Sequence, residues 1–206
     1  MTFEPTQNGL IGGVEKRNIQ ILDYDPGWPD KFREHAARIS AALGETALQI
    51  EHIGSTSVPG LAAKPIVDIL VVVNDSAAEA AYLPRLESAG YVLRVREPDF
   101  HEHRMFRTPE RDVHIHIFSL GSPESERYLI FRDRLRSNRD DRLRYEKTKR
   151  ELAARSWSDT NAYADAKTEV VESILAAARR SRESLTANGL GSVLTKTAAR
   201  PYEPET

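Results

Sequence analysis

Apolar and polar positions change period along the chain, and the changes mark the elements. Phe32, Ala36, Ile39 and Leu43 recur at spacings of 4, 3 and 4. That spacing predicts an amphipathic helix over Pro29–Leu43, with a proline in its first turn and Gly44 just past its end. Leu48–Ile53 reads as a strand, and 54–65 is too rich in Gly, Ser, Thr and Pro to be regular. Ile66–Val73 carries β-branched residues on both parities, the pattern of a strand buried on both faces. A helix is expected over Asp75–Ala89, ended by Gly90, followed by strands at Tyr91–Val95, His101–Arg107 and Asp112–Phe118. Arg17–Asp23 alternates enough for a further short strand.

The second half changes character. Helical spacing runs from Pro123 to about Arg136, over Asp140–Arg155, and over Asp159–Ser181. The expected organisation is an α/β half at about 17–120 and a helical half at about 121–183. Residues 1–16 are Gly-rich and weakly patterned, and 184–206 are rich in Thr, Ala, Gly and Pro. They are expected to be a mobile arm and a disordered tail.

Composition narrows the chemistry. The 206 residues contain no cysteine, which excludes disulfides, thiolate zinc sites and thiol nucleophiles. Lys plus Arg number 29 and Asp plus Glu 31, a net charge of −2. That balance, with no basic stripe interleaved with aromatics, argues against a nucleic-acid partner. The longest apolar run, Ile69–Val73, is far short of the roughly 20 residues a membrane span needs. No signal-peptide pattern opens the chain, so a cytoplasmic location is expected.

The densest signal is the stretch Ile50-Glu51-His52-Ile53-Gly54-Ser55-Thr56-Ser57, continuing through Lys64 to Asp68. Glycine lets backbone N–H groups approach an anion, the hydroxyls of Ser55, Thr56 and Ser57 add donors, and Lys64 adds a positive charge. Neither a P-loop nor a dinucleotide-binding spacing is present. Asp68 lies in the middle of an otherwise apolar strand. An isolated buried carboxylate is costly, so Asp68 must be paired, hydrogen-bonded, protonated or metal-bound. One reading pairs it with Lys64 or loop N–H groups, and the other gives it a metal or catalytic role.

Asp112, His114 and His116 share one face of their strand. The two imidazoles, about 7 Å apart along the strand, either line a solvated face or converge on a ligand. If they share a site with Asp68, the separation should be within about 5–6 Å. His101 and His103 have the same spacing nearer a loop and read as ordinary solvated positions. Tyr145/Lys149 and Tyr163/Lys167 are i, i+4 pairs, so each tyrosine lies beside its lysine on one helix face. On spacing alone these are solvated faces, as is usual for Lys and Arg.

A Gly-Ser turn followed by an aspartate on a central strand resembles the nucleotidyltransferase superfamily, and within it the GrpB family. The matching residues are Tyr24-Asp25-Pro26-x-Trp28-Pro29-x-x-Phe32, the run from Ile50 to Thr56 with Asp68, and His114-Ile115-His116. Phe131-Arg132-Asp133-x-Leu135-Arg136, Tyr145-x-x-x-Lys149 and Tyr163-x-x-x-Lys167 follow, so the resemblance covers about 19–180. It implies an α+β fold, a nucleotidyltransferase-like mixed sheet with flanking helices, followed by the helical half. One departure stands out: the superfamily's Asp-x-Asp is reduced here to Asp68, flanked by Ile66 and Leu70.

The activity implied is transfer of a nucleotidyl or phosphoryl group from a nucleoside triphosphate, ATP first, to a small acceptor. In that reading Gly54, Ser55, Thr56, Ser57 and Lys64 hold phosphates. Arg132, Tyr145, Lys149, Tyr163 and Lys167 complete the nucleotide site. Asp68, His114 and His116 hold Mg2+ or another divalent metal, and Glu51 or His116 takes the acceptor's proton. With one carboxylate on the metal strand, a non-catalytic nucleotide-binding module is the alternative. The family's fusions to dephospho-CoA kinase extend that alternative to CoA-related ligands. An ATP-dependent carboxylate-activating ligase is a third reading.

Overall fold

Asp68 is the second residue of a strand that lies one in from the edge of a five-stranded sheet. The computed structural model describes residues 9–13, 19–155, 157 and 160–187. Helix α1 spans Trp28–Leu43, with Pro29 in its first turn and Gly44 at its C-cap. Strands β1 (Gln49–Ile53) and β2 (Val67–Val73) flank the Gly54 loop. The short helix α2 (Leu83–Ser88) precedes strands β3 (Val92–Glu97), β4 (His103–Arg107) and β5 (Val113–Ser119). Four helices follow: α3 (Pro123–Ser137), α4 (Arg139–Ala153), α5 (Thr160–Asp165) and α6 (Thr168–Ala187).

The five strands form one mixed sheet in the order β1-β2-β5-β4-β3. Only β2 and β5 run parallel, and the other neighbours are antiparallel. Both faces are covered, which is why β2 is apolar on both parities. On one face, Val67, Ile69, Val71 and Val73 pack with Val113, Ile115 and Ile117 against Trp28, Ile39 and Leu43 of α1. On the other, Ile53, Leu70, Val72 and Phe118 pack against Tyr128 and Leu129 of α3. A separate apolar cluster of Val58, Leu61, Leu135, Tyr145, Val170 and Ile174 joins the Gly54 loop region to α3, α4 and α6. Fold class and the two-half plan are as the sequence implied.

Three elements differ from expectation. The helix expected over Asp75–Ala89 is a 3-10 turn at Glu79–Ala81 and then α2. Pro84 has no N–H to donate and its ring crowds the preceding turn, so one continuous helix cannot run through it. Ser76 is also drawn to β5, its N–H donating to Ser119 Oγ at 2.9 Å. The last predicted helix is broken into α5 and α6 around Ala166 and Lys167. Of the strand expected over Arg17–Asp23, the described part makes one bridge, Leu22 to Ala63.

The expected arm at 1–16 falls largely outside the described residues, but 9–13 are docked. Leu10 bridges Val95, Ile11 N–H donates to Arg94 O at 2.8 Å, and the Arg94 guanidinium donates to the Ile11 and Gly13 carbonyls. Of the expected tail, 184–187 continue α6 and the rest lies outside the described residues. Among the described residues no helix is long and apolar enough to cross a membrane.

Candidate functional site

Parallel pairing of β2 with β5 sets Asp68 directly opposite His114. Two residues on, His116 lies on the same face, because side chains alternate with a period of two. Asp68 Oδ1 stands 3.6 Å from His114 Nδ1 and 3.6 Å from His116 Nε2. One ligand atom from each of the three residues can be chosen so that all lie within 4.8 Å of one another. The two Asp68–imidazole distances thus fall inside the separation set for a shared site. Burial alone would raise the Asp68 carboxyl. The imidazoles of His114 and His116, each 3.6 Å away, outweigh it when protonated and hold the group well below the usual carboxylate range.

Gly54 explains how the loop approaches this carboxylate. Its φ is +70°, and an added Cβ would collide with Asp68 Oδ2 and lie 3.0 Å from the Asp68 Cβ. Beyond it the loop turns into a 3-10 segment, Ser55–Ser57. Gly54, Ser55, Lys64, Asp68, His114 and His116 line one cavity of about 860 Å³. The helical half closes it with Tyr145, Lys149, Tyr163 and Lys167, and with Glu124, Arg127, Tyr128 and Phe131 from α3.

Lys149 is the most constrained of the basic residues. It is 3% exposed, donates to Ser55 Oγ at 2.9 Å and to the Ala62 carbonyl, and lies 4.8 Å from the centre of the Tyr145 ring. Burial, followed by the nearby charges of Lys167, Arg150 and Lys64, lowers its ammonium to about 7. Lys64 and Lys167 both approach the Tyr163 ring, at 5.0 and 4.7 Å. Burial also lowers Lys167, opposed by the charge of Asp68. Among the described residues the buried Tyr163 hydroxyl has no hydrogen-bond partner. Burial raises the Tyr145 and Tyr163 hydroxyls to about 12, so both stay protonated donors.

Four of the expected residues do not reach the cavity wall. Arg132 Nη1 donates to Glu51 Oε2 at 2.7 Å and to the His52 carbonyl at 3.2 Å. Each thus occupies the other: Arg132 holds β1 to α3, and Glu51 is tied up in an ion pair. Phe131, the residue before it on α3, lines the cavity instead. Thr56 Oγ1 donates to the Ile66 carbonyl at 3.2 Å and meets His52 Nε2 at 3.1 Å. Ser57 Oγ donates to the Gly54 carbonyl at 2.6 Å. Both hydroxyls are buried and shape the loop from within.

His103 is the residue that sequence reasoning missed. It is 6% exposed, not solvated, and stacks on Phe118 at 4.7 Å. Its Nδ1 meets Glu97 Oε2 at 2.7 Å and its Nε2 meets His116 Nδ1 at 3.1 Å. His101, in the loop before it, is exposed as expected. The signal for His103 was its spacing of two from His101, which carries nothing about which strand it faces.

Comparison with known proteins places these residues in context. The sequence profile of the family described as GrpB protein matches residues 18–177. A UPF0157 protein of Halalkalibacterium halodurans is 51% identical over 176 residues, covering 84% of this chain and 90% of that one. The crystal structure of conserved protein GrpB from Enterococcus faecalis superposes with a TM-score of 0.71 at 33% identity, covering 79% of this chain and 98% of that one. A dephospho-CoA kinase of Mycolicibacterium paratuberculosis is 28% identical over 176 residues, and the match spans only 43% of it.

Proposed function

The chain belongs to the GrpB family, and we propose that it is a metal-dependent transferase moving a nucleotidyl or phosphoryl group from a nucleoside triphosphate, ATP first, to a small acceptor. One observation carries the reading: the Asp68–His114–His116 triad and three lysines open into a single cavity at the Gly54–Ser55 loop. The triad supplies a carboxylate oxygen and two imidazole nitrogens, a donor set that fits a divalent cation. A cation held there would offset charge on a phosphoryl group.

The remaining roles fall to the protein's own side chains. Lys64, Lys149 and Lys167 match the charge of a polyphosphate, and Ser55 Oγ and the unpartnered Tyr163 hydroxyl offer donors. Tyr128, Tyr145 and Phe131 form an apolar wall that limits water. Such chemistry is mostly positioning and charge stabilisation, which asks little of any single base. Glu51 is not assigned the base role, because Arg132 engages it outside the cavity.

Calorimetry with ATP and Mn2+ or Zn2+ tests the reading. Binding to the wild type that is lost in Asp68→Ala supports it, and no binding, or equal binding by the variant, overturns it. Release of pyrophosphate or ADP across a panel of acceptors then shows turnover.

A second reading is favoured by a specific feature. The positions flanking Asp68 at two-residue spacing are Ile66 and Leu70, and Leu70 is fully buried in the apolar layer. A single carboxylate suits ligand binding without turnover, and the dephospho-CoA kinase relative makes nucleotide or CoA-related ligands the first to try. Binding of ATP with no product across the acceptor panel distinguishes this reading from the first.

A further inference from the structure

Behind the triad lies a hydrogen-bonded chain that the transfer reading leaves unassigned. Glu97 and His103 face each other across the antiparallel pair β3 and β4. A carboxylate only accepts, so in the 2.7 Å contact His103 Nδ1 donates to Glu97 Oε2. The neutral ring then has one acceptor left, Nε2, and His116 Nδ1–H donates to it at 3.1 Å. With the His116 ring neutral, that order leaves Nε2 as a lone pair 3.6 Å from Asp68 Oδ1; with the ring protonated, the same nitrogen carries a proton directed at that oxygen. His114 Nδ1 stands at the same distance from the same oxygen.

A lone pair facing a carboxylate oxygen is repulsive unless a cation lies between them. Two ligands each about 2.1 Å from a zinc ion at a tetrahedral angle lie about 3.4 Å apart, close to the two Asp68–imidazole separations of 3.6 Å. The rings cannot easily turn away. His103 stacks on Phe118 at 4.7 Å and 17°, and its ring lies nearly coplanar with that of His116, at 11°. Mg2+ prefers an all-oxygen octahedron, whereas imidazole suits Zn2+, Fe2+ and their neighbours.

We propose that Glu97 and His103 are positioning residues that fix His116 with its Nε2 lone pair toward Asp68, so that the site takes a nitrogen-preferring first-row dication such as Zn2+ in preference to Mg2+. The inference rests on the metal-site reading of Asp68, His114 and His116. His103 touches His116, and Glu97 acts only through His103. Outer partners of this kind orient the ring and set its tautomer.

Calorimetric titration of the metal-stripped full chain with Zn2+ and with Mg2+ tests it, with visible absorption of the Co2+ complex as a signature of imidazole ligation. Zn2+ is expected to bind the wild type at least about 100-fold more tightly than Mg2+. His103→Leu is expected to lose about 10- to 100-fold in Zn2+ affinity and to shift the Co2+ spectrum. His103→Gln, whose amide oxygen can still accept from His116 Nδ1, should recover most of that loss. Glu97→Ala alters a side chain that is 35% exposed, so it should fold normally and still weaken Zn2+ binding by freeing the His103 tautomer.

The outcomes separate the two claims. A wild type that binds neither ion overturns the metal reading itself. A wild type that binds Mg2+ as tightly as Zn2+ overturns the preference and leaves the metal reading standing. Zn2+ affinity and Co2+ spectrum unchanged in both Glu97→Ala and His103→Leu overturn the positioning role.

Discussion

A side chain at residue 54 and the carboxylate of Asp68 would occupy the same space. The loop reaches Asp68 only because Gly54 has no Cβ and tolerates a φ of +70°. Gly54→Ala is expected to destabilise the fold by about 1–3 kcal/mol through backbone strain and the collision. It should also push Asp68 aside and weaken dication binding about tenfold or more. Thermal unfolding and metal titration of the same variant check both effects.

Asp68 should leave a mark on acid stability. Its folded carboxyl is held below the usual range, with His114 and His116 as partners. The stabilisation this gives is present above the unfolded value of about 4 and is lost as pH falls through the lower folded value. Denaturant unfolding at a series of pH values should therefore show a steeper acid-side loss in the wild type than in Asp68→Asn. Parallel curves would show that the carboxylate gains nothing from its neighbours.

Lys149 should couple ligand binding to protons. With its ammonium lowered to about 7 by burial and by neighbouring cations, a polyphosphate in the cavity favours the charged form. ATP binding at pH 8 should take up protons, seen as a dependence of calorimetric heat on buffer ionisation enthalpy. Lys149→Met should abolish that dependence and lower ATP affinity by about tenfold or more, in line with 1.5–3 kcal/mol for a charged hydrogen bond. Its melting temperature should not fall much, since an apolar replacement of a buried charge is often neutral.

Arg132 separates scaffold from site. It donates to Glu51, the His52 carbonyl and Asp133 and lies outside the cavity. Arg132→Ala is expected to cost about 2 kcal/mol of stability and to leave ATP affinity essentially unchanged. A large drop in affinity with unchanged stability would return Arg132 to the binding site.

The triad was legible because parity decides it. Asp68, His114 and His116 each occupy a definite face of a strand, and parallel pairing of the two strands fixes the rest. Lys149 and Tyr145 were legible only as neighbours on a helix. What brings that helix face over Ser55, 94 residues earlier, is tertiary packing that no local spacing encodes. The Glu51–Arg132 pair, 81 residues apart, misled for the same reason. His103 was hidden by the register shift between Leu93 and Val95 in β3, which helps decide which residue of that strand meets it. Residues 9–13 read as loose because glycine-rich segments have no periodicity, yet the Arg94 guanidinium gathers their carbonyls.

The parallel pairing of β2 with β5 has a kinetic meaning as well. Asp68 and the two histidines sit in segments separated by α2, β3 and β4, and they meet only when the crossover has closed. Such non-local pairing comes late in folding, after the loop-closure entropy has been met. An ion held by all three residues would have to leave whenever these two strands part. A dication would then slow global unfolding and protect the central strands from hydrogen exchange, while leaving the fraying of peripheral helices untouched.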